Sequence, residues 1–329
     1  MTNYKESKLI LEEIKKAENI LINLHRGPDP DSFCSALSLY KFVESFGKNC
    51  TLCLVKTSEL SDFLSNEKDS NLVKFVDYNE LDFNKYDLFI SPDSASWQQV
   101  VNNIDIKIPD LPIIIIDHHP SNEKFGEINV LDFKASSCSE MVYKLLVDWE
   151  FDIDVELSNL LLTGIIADTG GFAFSDNSET LRIVANLMDI GAMKSEILTK
   201  MFRTVRFEKL KYWGVCIDML KFDTDNRFVW LATPYEVENK YKVNDSNFAT
   251  MFSNIVDGSN FGVVMSEDEP KSLKISFRGR DNFDVSAMAR ELGGGGHIMA
   301  AGAKVDGLEF NDAVEKVLTI CRKYAKKSF

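Results

Sequence analysis

Apolar runs alternate with helically spaced segments through the first half of the chain. The runs that predict strands are residues 19–24, 51–55, 86–90 and 113–116. Helical spacing predicts a helix over residues 35–46 with Gly47 as its stop, and a longer apolar run at residues 157–167 predicts a buried helix. Apolar strands without polar alternation, placed between helices, are typical of a parallel sheet covered on both faces. The pattern therefore predicts a parallel-sheet domain over residues 1–192.

The pattern changes near Gly191. Residues 194–220 have a long helical pattern, and we interpret residues 193–222 as a helical connector. Beyond the connector, strands are predicted at residues 228–232, 262–265 and 273–277 and helices at residues 285–292 and 310–324. These elements predict a second domain over residues 223–329. The fold class is therefore α/β, with a parallel-sheet domain joined by a helical linker to a smaller α/β domain.

Charge and hydropathy exclude two classes of partner. The 329 residues include 51 acidic and 37 basic side chains, which gives a formal net charge of -14. Sequence-independent binding of duplex DNA needs a basic surface, so we exclude a clamp for long duplex DNA. No apolar run is long enough to span a membrane, and the polar N-terminal segment does not resemble a signal peptide. We expect a cytoplasmic protein with no membrane partner, whose scattered cysteines are free thiols.

Chemically active residues follow the predicted strands at their carboxyl ends, where ligand sites of open α/β sheets form. His25, Asp29 and Asp31 come after the first strand and offer one imidazole and two carboxylates on a short loop. Such a nitrogen and oxygen set suits Mn²⁺ or a similar divalent ion, and a polar turn is the alternative interpretation. Asp93 follows the strand at residues 86–90, and taken alone it also fits a turn or a helix cap.

Two further motifs place acidic and imidazole groups at strand or helix ends. Asp117, His118 and His119 follow the strand at residues 113–116, and adjacent side chains point apart, so one histidine can bind metal while the other faces substrate. Asp168 ends an apolar run, and a helix C-terminus with a glycine stop is its alternative interpretation. The candidate ligands exceed what one open site needs, so they predict two metals bridged by one carboxylate. The predicted metal ligands are His25, Asp29, Asp31, Asp93, His118 and Asp168.

The second domain carries a candidate phosphate-binding segment. Consecutive glycines let backbone N–H groups surround a phosphate, and nearby arginines add charge-assisted contacts. A flexible glycine loop between elements is the alternative interpretation. The residues of this segment are Arg278, Arg280, Gly293, Gly294, Gly295, Gly296 and His297.

These motifs, in this order, resemble the DHH phosphoesterase superfamily, and the segment that ends in Gly296 and His297 resembles its DHH-associated C-terminal domain. The resemblance covers nearly the whole chain and is specific, because five separated motifs agree. Within the superfamily, the chain is similar to the short oligoribonucleases that also act as pAp phosphatases. The resemblance implies a two-metal phosphohydrolase with two divalent ions, Mn²⁺ being the expected cofactor.

Carried over to this chain, the resemblance implies a role for each residue of the site. The two Mn²⁺ ions would be held by His25, Asp29 and Asp93 and by Asp31, Asp93, His118 and Asp168. Asp93 would bridge the ions, Asp117 would orient a ligating histidine, and His119 would face the scissile phosphate. The arginines, glycines and histidine of the second domain would hold the rest of the substrate.

The expected substrates are small. Short single-stranded RNA and dinucleotides would be cleaved to nucleoside 5′-monophosphates, and pAp would be converted to AMP. A signalling phosphodiesterase acting on pApA or cyclic di-AMP is an alternative with the same chemistry. A catalytically inactive nucleotide-binding regulator and a structural metalloprotein are alternatives from other classes. The oligomeric state is left open, with a homodimer as one candidate.

Overall fold

The computed structural model of the chain describes residues 4–101, 103, 105–173, 177–241, 255–281, 283–296 and 298–326. The chain divides into two units, Met1–Thr204 and Val205–Phe329, and each is described by itself. His297, one of the predicted substrate-binding residues, lies outside the described residues. Within the described ranges, no helix combines the length and the apolar character needed to cross a membrane.

Strands and helices alternate over most of the first unit. The strands are β1 (Asn19–Asn23), β2 (Asn49–Val55), β3 (Lys74–Val76), β4 (Leu88–Pro92), β5 (Ile113–Asp117) and β6 (Ile128–Leu131). The helices are α1 (Ser7–Lys16), α2 (Pro30–Glu44), α3 (Asp62–Ser65), α4 (Trp97–Val100), α5 (Cys138–Asp148), α6 (Val155–Asp168), α7 (Ser178–Ile190) and α8 (Lys194–Phe202).

These strands form one sheet in the order β3-β2-β1-β4-β5-β6, and every neighbouring pair is parallel. Strands β2 and β3 lie on one side of β1, whereas β4, β5 and β6 lie on the other, so the strand order reverses beside β1. Ligands of open α/β sheets bind at such a reversal, outside the carboxyl ends of the strands. The carboxyl ends of β1, β4 and β5 therefore meet where the candidate ligands were predicted.

The middle of the sheet is apolar and buried. Ile22 of β1 lies beside Ile90 of β4, and Ile90 lies beside Ile114 of β5. All three side chains have no exposed surface. Consecutive residues of β4 and β5 are all buried, so the middle of the sheet is covered on both faces. The predicted parallel sheet is confirmed.

Helix α2 begins closer to β1 than the apolar spacing predicted. Asp29 is its N-cap, and the Asp29 carboxylate accepts a hydrogen bond from the Ser32 N–H at 2.9 Å. Pro30 occupies the first helical position, where its missing N–H is not needed. The helix therefore starts at Pro30 rather than at residue 35, and the candidate ligands Asp29 and Asp31 lie at its N-terminus.

The second unit contains a sheet and helices of its own. Its strands are β7 (Lys221–Asp223), β8 (Phe228–Thr233), β9 (Phe261–Glu269), β10 (Ser272–Gly279), β11 (Gly295–Gly296) and β12 (Ala300–Asp306). Its helices are α9 (Phe207–Met219), α10 (Tyr235–Tyr241), α11 (Ser286–Glu291) and α12 (Phe310–Ala325). The sheet order is β11-β12-β10-β9-β8-β7, and β8 pairs with β9 in parallel while the other pairs are antiparallel. The predicted smaller α/β domain is confirmed, and its sheet is mixed.

The long helical pattern at residues 194–220 belongs to two helices. Helix α8 ends at Phe202 and α9 begins at Phe207. Thr204 and Val205 lie between the helices, and β-branched side chains such as theirs lower helix propensity. The division between the two units falls at the same point. The boundaries 1–192, 193–222 and 223–329 stay a prediction.

Candidate metal centre

Asp93 lies at the centre of the gathered side chains. It follows β4 with a φ of 53°, a left-handed conformation that Asp adopts more readily than most residues. Its backbone N–H donates to the Ile116 carbonyl at 2.9 Å, and its side chain is buried. Asp93 Oδ2 lies 3.5 Å from His25 Nε2, and Asp93 Oδ1 lies 3.7 Å from His118 Nε2. The two oxygens of one carboxylate thus face two different histidines.

The two histidines present their Nε2 atoms to this carboxylate. His25 Nδ1 lies 3.1 Å from the Arg26 carbonyl oxygen, and His118 Nδ1 lies 3.3 Å from that of Ala135. Since a carbonyl only accepts, each Nδ1 carries the proton, and in the neutral imidazole each Nε2 carries a lone pair. A lone pair that faces a carboxylate is unfavourable unless a proton or a cation lies between them. Burial lowers the pKa of His25, but hydrogen bonds with Asp29 and Asp93 outweigh burial and raise it well above its usual range.

Donor atoms of the predicted ligands converge in sets that could each hold a cation. In each set, one donor atom per residue lies within 4.8 Å of the others. The sets are His25, Asp29 and Asp93; Asp31, His118 and Asp168; and Asp93, Asp117, His118 and His119. The first two sets contain all six predicted metal ligands. The third set adds Asp117, which was expected to orient a ligating histidine, and His119, which was expected to face the scissile phosphate.

The polar atoms of the site fit divalent cations. Asp93 Oδ1 and His118 Nε2 are buried and have no hydrogen-bond partner among the described residues, which is unfavourable unless a ligand satisfies them. Burial, with the charges of Asp93 and Asp168, raises the pKa of Asp31 well above its usual range. Burial also raises the pKa of Asp168 to about 6. Bound cations would offset this crowding of acidic groups.

Two backbone N–H groups at the N-terminus of α5 hold the Asp31 carboxylate. The Cys138 N–H donates to Asp31 Oδ2 at 2.6 Å, and the Ser139 N–H donates to Asp31 Oδ1 at 2.9 Å. Unpaired N–H groups at a helix N-terminus favour a carboxylate. Gly164 of α6 makes room for this contact, because a Cβ there would lie 2.7 Å from Asp31 Oδ1. Sequence reasoning did not find these supporting residues.

His119 differs from the other two histidines. The His119 Nδ1–H donates to Asp117 Oδ1 at 2.8 Å, and this hydrogen bond is the main reason that the pKa of His119 rises to about 9. Burial opposes ionisation of Asp117, but hydrogen bonds from His119 and Asn122 outweigh it and lower the pKa of Asp117. The His119 side chain is 33% exposed, against 14% for His118. His119 is therefore held through Nδ1 by Asp117, and its ring is more accessible to a ligand than that of His118.

The predicted substrate residues of the second unit have their own contacts. Arg278 lies on β10, donates to the Phe277 carbonyl, and has its pKa lowered by burial. Arg280 donates to the Val256 carbonyl at 2.7 Å, and its Nε lies 3.5 Å from Asp281. The structure gives these arginines local partners, and their role toward a substrate stays a prediction.

The glycines of the predicted phosphate segment divide into two kinds. A Cβ at Gly294 would lie 2.7 Å from Ala303 Cα, and a Cβ at Gly296 would lie 2.6 Å from the Ala300 carbonyl, so both positions need glycine for packing on β12. A Cβ at Gly295 would meet nothing within 4 Å. Gly295 and Gly296 form the edge strand β11, whereas the sequence predicted a loop. Packing against β12 thus accounts for part of the glycine run.

The α/β sheet with acidic and imidazole side chains at its carboxyl edge fits a metal-dependent hydrolase. Residues 19–165 match the model of the DHH family, N-terminal domain, and residues 217–326 match the DHHA1 domain. The chain belongs to the DHH phosphoesterase superfamily, whose members use divalent metals.

Several proteins resemble the chain over most of its length. The bifunctional oligoribonuclease and PAP phosphatase NrnA of Thermus thermophilus is 29% identical over 97% of this chain and 94% of that protein. The cyclic-di-AMP phosphodiesterase PdeA of Listeria monocytogenes is 23% identical over 97% of this chain and 50% of that protein. The crystal structure of an exopolyphosphatase-related protein from Bacteroides fragilis has a TM-score of 0.88 at 25% identity, covering 98% of this chain and 96% of that one.

Proposed function

We propose that this chain is a phosphoesterase that hydrolyses short RNA oligonucleotides, including dinucleotides, to nucleoside 5′-monophosphates, and pAp to AMP. The observation that carries the proposal is the Asp93 carboxylate, whose two oxygens face the Nε2 atoms of His25 and His118. This arrangement suits two cations that share one bridging ligand. The similarity to NrnA from Thermus thermophilus supports the choice of substrates.

The proposed ligands form two groups around Asp93. One cation would be held by His25, Asp29 and Asp93, whose donor atoms converge. The other would be held by the converging set Asp31, His118 and Asp168, with Asp93 as the shared ligand. The mixture of imidazole and carboxylate donors supports Mn²⁺ as the native ion. Cations held by these residues would supply Lewis-acid chemistry, polarising phosphoryl oxygens and lowering the pKa of a bound water.

The remaining side chains act on the substrate directly. His119 presents its Nε2–H to the scissile phosphate, where it stabilises developing charge or protonates the leaving oxygen. Asp117 keeps the proton on His119 Nδ1 and fixes the ring. Arg278, Arg280 and the segment Gly294, Gly295, Gly296 and His297 hold the rest of the nucleotide. A cytoplasmic location and a homodimer stay predictions.

A second candidate function has the same chemistry. The chain matches cyclic-di-AMP phosphodiesterase PdeA over 97% of its own residues. Turnover of cyclic di-AMP would place the enzyme in nucleotide signalling, whereas pApA, a linear dinucleotide, is an expected substrate under either function. The excess of acidic residues, 51 against 37 basic ones, argues against long duplex DNA for either function.

One comparison of substrates tests both candidates. We would measure kcat/KM with Mn²⁺ for a short single-stranded RNA, pApA, pAp and cyclic di-AMP. The proposal expects the RNA and pAp to be the preferred substrates. A preference for cyclic di-AMP over both would favour the signalling function, and no turnover of any of the four would contradict the proposal.

A further inference from the structure

The loop after β5 contains Asn122, a residue to which the proposed function assigns no role. Asn122 Nδ2 lies 2.6 Å from Asp117 Oδ2 and 3.1 Å from the Ser94 carbonyl oxygen. Asn122 Oδ1 accepts a hydrogen bond from the Lys124 N–H at 2.7 Å. Since that N–H needs an acceptor, the amide has one orientation, with Nδ2 toward Asp117 and Ser94. The Asn122 side chain is anchored on both of its polar atoms.

Asp117 divides its two oxygens between different partners. Asp117 Oδ1 accepts from the His118 N–H at 2.9 Å and from His119 Nδ1 at 2.8 Å, while Oδ2 accepts from Asn122. Asp117 is fully buried. It also lies among donor atoms that could hold a cation. A carboxylate in this place has two possible uses: it can ligate a metal, or it can hold His119.

We propose that Asn122 is a positioning residue that keeps the Asp117 carboxylate hydrogen-bonded to His119. Its anchored N–H occupies Asp117 Oδ2, so the carboxylate cannot rotate that oxygen toward a cation without losing a short hydrogen bond. Asp117 Oδ1 then stays on the His119 ring, and the ring keeps one orientation, with Nδ1 on Asp117 and Nε2 available to the substrate. This inference rests on the proposed function, because it assigns a purpose to the orientation of His119.

Two substitutions separate hydrogen bonding from space filling. N122A removes the donor and leaves a void, whereas N122D keeps the shape but places a second carboxylate against Asp117. We expect N122A to lower kcat on pAp by about 10- to 100-fold with little change in KM, and N122D to lower it further. A residue that only fills space would give the reverse order, because N122D preserves its volume.

Mn²⁺ affinity distinguishes a positioning role from a merely structural one, because a structural role predicts weaker binding in the variant. Without Asn122, Asp117 is free to turn toward a cation, so Mn²⁺ affinity measured by calorimetric titration should stay unchanged or become tighter while kcat falls. General damage to the loops would weaken Mn²⁺ binding and kcat together. N129D is the matched control, because the Asn129 amide donates to the Gly126 carbonyl at 2.6 Å and contacts no acidic residue of the site.

The outcomes are assigned as follows. The positioning role is supported if kcat is lower in N122D than in N122A, Mn²⁺ affinity is retained, and N129D behaves like wild type. The reverse order, or a parallel loss of Mn²⁺ affinity, overturns it. The unfolding temperature of each metal-free variant shows whether the variant is folded. If N122D does not fold, the changes of kcat and Mn²⁺ affinity in N122A alone decide the question. A wild-type protein that cleaves neither RNA nor pAp contradicts the proposed function, and weaker Mn²⁺ binding by N122A would then still overturn the role of Asn122.

Discussion

Close packing behind the acidic cluster sets the position of Asp31. Asp31 is buried between α2, α5 and α6, where two backbone N–H groups of α5 hold its carboxylate. Gly164 is the residue of α6 that lets this carboxylate and Ser139 approach the helix. Any side chain at Gly164 would have to move Asp31, Ser139 or the helix itself.

We therefore expect G164A to damage both stability and metal binding. Overpacking of a closely packed site typically costs about 1–3 kcal/mol, and displacement of Asp31 should weaken Mn²⁺ binding as well. The unfolding temperature and a calorimetric Mn²⁺ titration measure the two effects. G214A is the matched control, because Gly214 lies in α9 and a Cβ there would meet nothing within 4 Å.

The control should change in the opposite direction. Replacing an unobstructed helical glycine by alanine stabilises by about 0.5–1 kcal/mol. S139A combined with G164A removes the hydroxyl that the new methyl group would meet, so it should recover part of the lost stability. A G164A protein as stable as wild type, with normal Mn²⁺ affinity, would show that α6 can shift without cost.

The candidate site was predictable from sequence where its residues end or closely follow apolar runs. Asp93 and Asp117 follow buried strands, and the carboxyl ends of parallel strands meet at one edge, so the sequence pattern was enough to group them. The sequence pattern around Asn122 and around Gly164 does not indicate that either residue belongs to the site. Their roles depend on which loop or helix lies opposite them, and that is decided by the packing of the whole unit.

Helices α2 and α6 are joined near Lys41 and Glu156. Lys41 Nζ lies 2.8 Å from Glu156 Oε1 and 2.6 Å from Asp69 Oδ2, and Lys68 also pairs with Glu156. Hydrogen bonds from Lys41 and Lys68 lower the pKa of Glu156 to about 2. The ion pairs connect two helices and the segment before β3, far along α2 from the metal ligands.

These ion pairs make a pH-dependent contribution to stability. The folded-state pKa of Glu156 lies below its ordinary value of 4.5, so the stabilisation is complete above that pH and is lost as the pH falls from there through about 2. We expect E156Q to lower the unfolding temperature at about pH 7, with the difference from wild type shrinking at about pH 3.

The effect of E156Q should be small, because the Glu156 side chain is 40% exposed and solvent screens the pairs. We expect less than about 1 kcal/mol, and less still in high salt. E59Q, which changes an exposed carboxylate outside these ion pairs, is the control. A difference between wild type and E156Q that grows as the pH falls would contradict the assignment.

Two elements that the sequence pattern missed, α5 and β3, have polar residues at positions where apolar ones would have indicated them. Helix α5 buries Lys144 and Glu140, whose Nζ and Oε1 lie 2.7 Å apart, so charged residues occupy positions that face the core. Strand β3 has only three residues, of which Lys74 and Phe75 are exposed. By contrast, the isoleucines of β5 have no polar alternation, and that strand was predicted to within one residue.

At the scale of the whole molecule, the described candidate ligands all belong to the first unit, Met1–Thr204. The second unit, Val205–Phe329, contributes Arg278, Arg280 and the glycine segment to the proposed substrate contacts. Part of the acidic excess behind the net charge of -14 lies at one place, since several of the acidic residues surround the metal centre. Cations at that centre would supply the positive charge that the chain as a whole lacks.

This division predicts where metal binding stabilises the chain. A ligand present at about 100 times its Kd stabilises the folded state that binds it by about 2.7 kcal/mol. We expect Mn²⁺ to slow amide hydrogen exchange in the first unit, above all at Cys138 and Ser139, whose N–H groups donate to Asp31. Helix α12 of the second unit is the internal control and should exchange at an unchanged rate.

D93N serves as the matched variant for the exchange experiment, because asparagine keeps the shape of the side chain and tolerates the left-handed conformation at φ 53°. Without the carboxylate that faces both His25 and His118, Mn²⁺ should give little protection anywhere in the chain. Protection of α12 equal to that of α5 would show that metal binding stabilises both units together. Protection that persists in D93N would mean that the cations are held without the Asp93 bridge, and the two-metal arrangement would have to be abandoned.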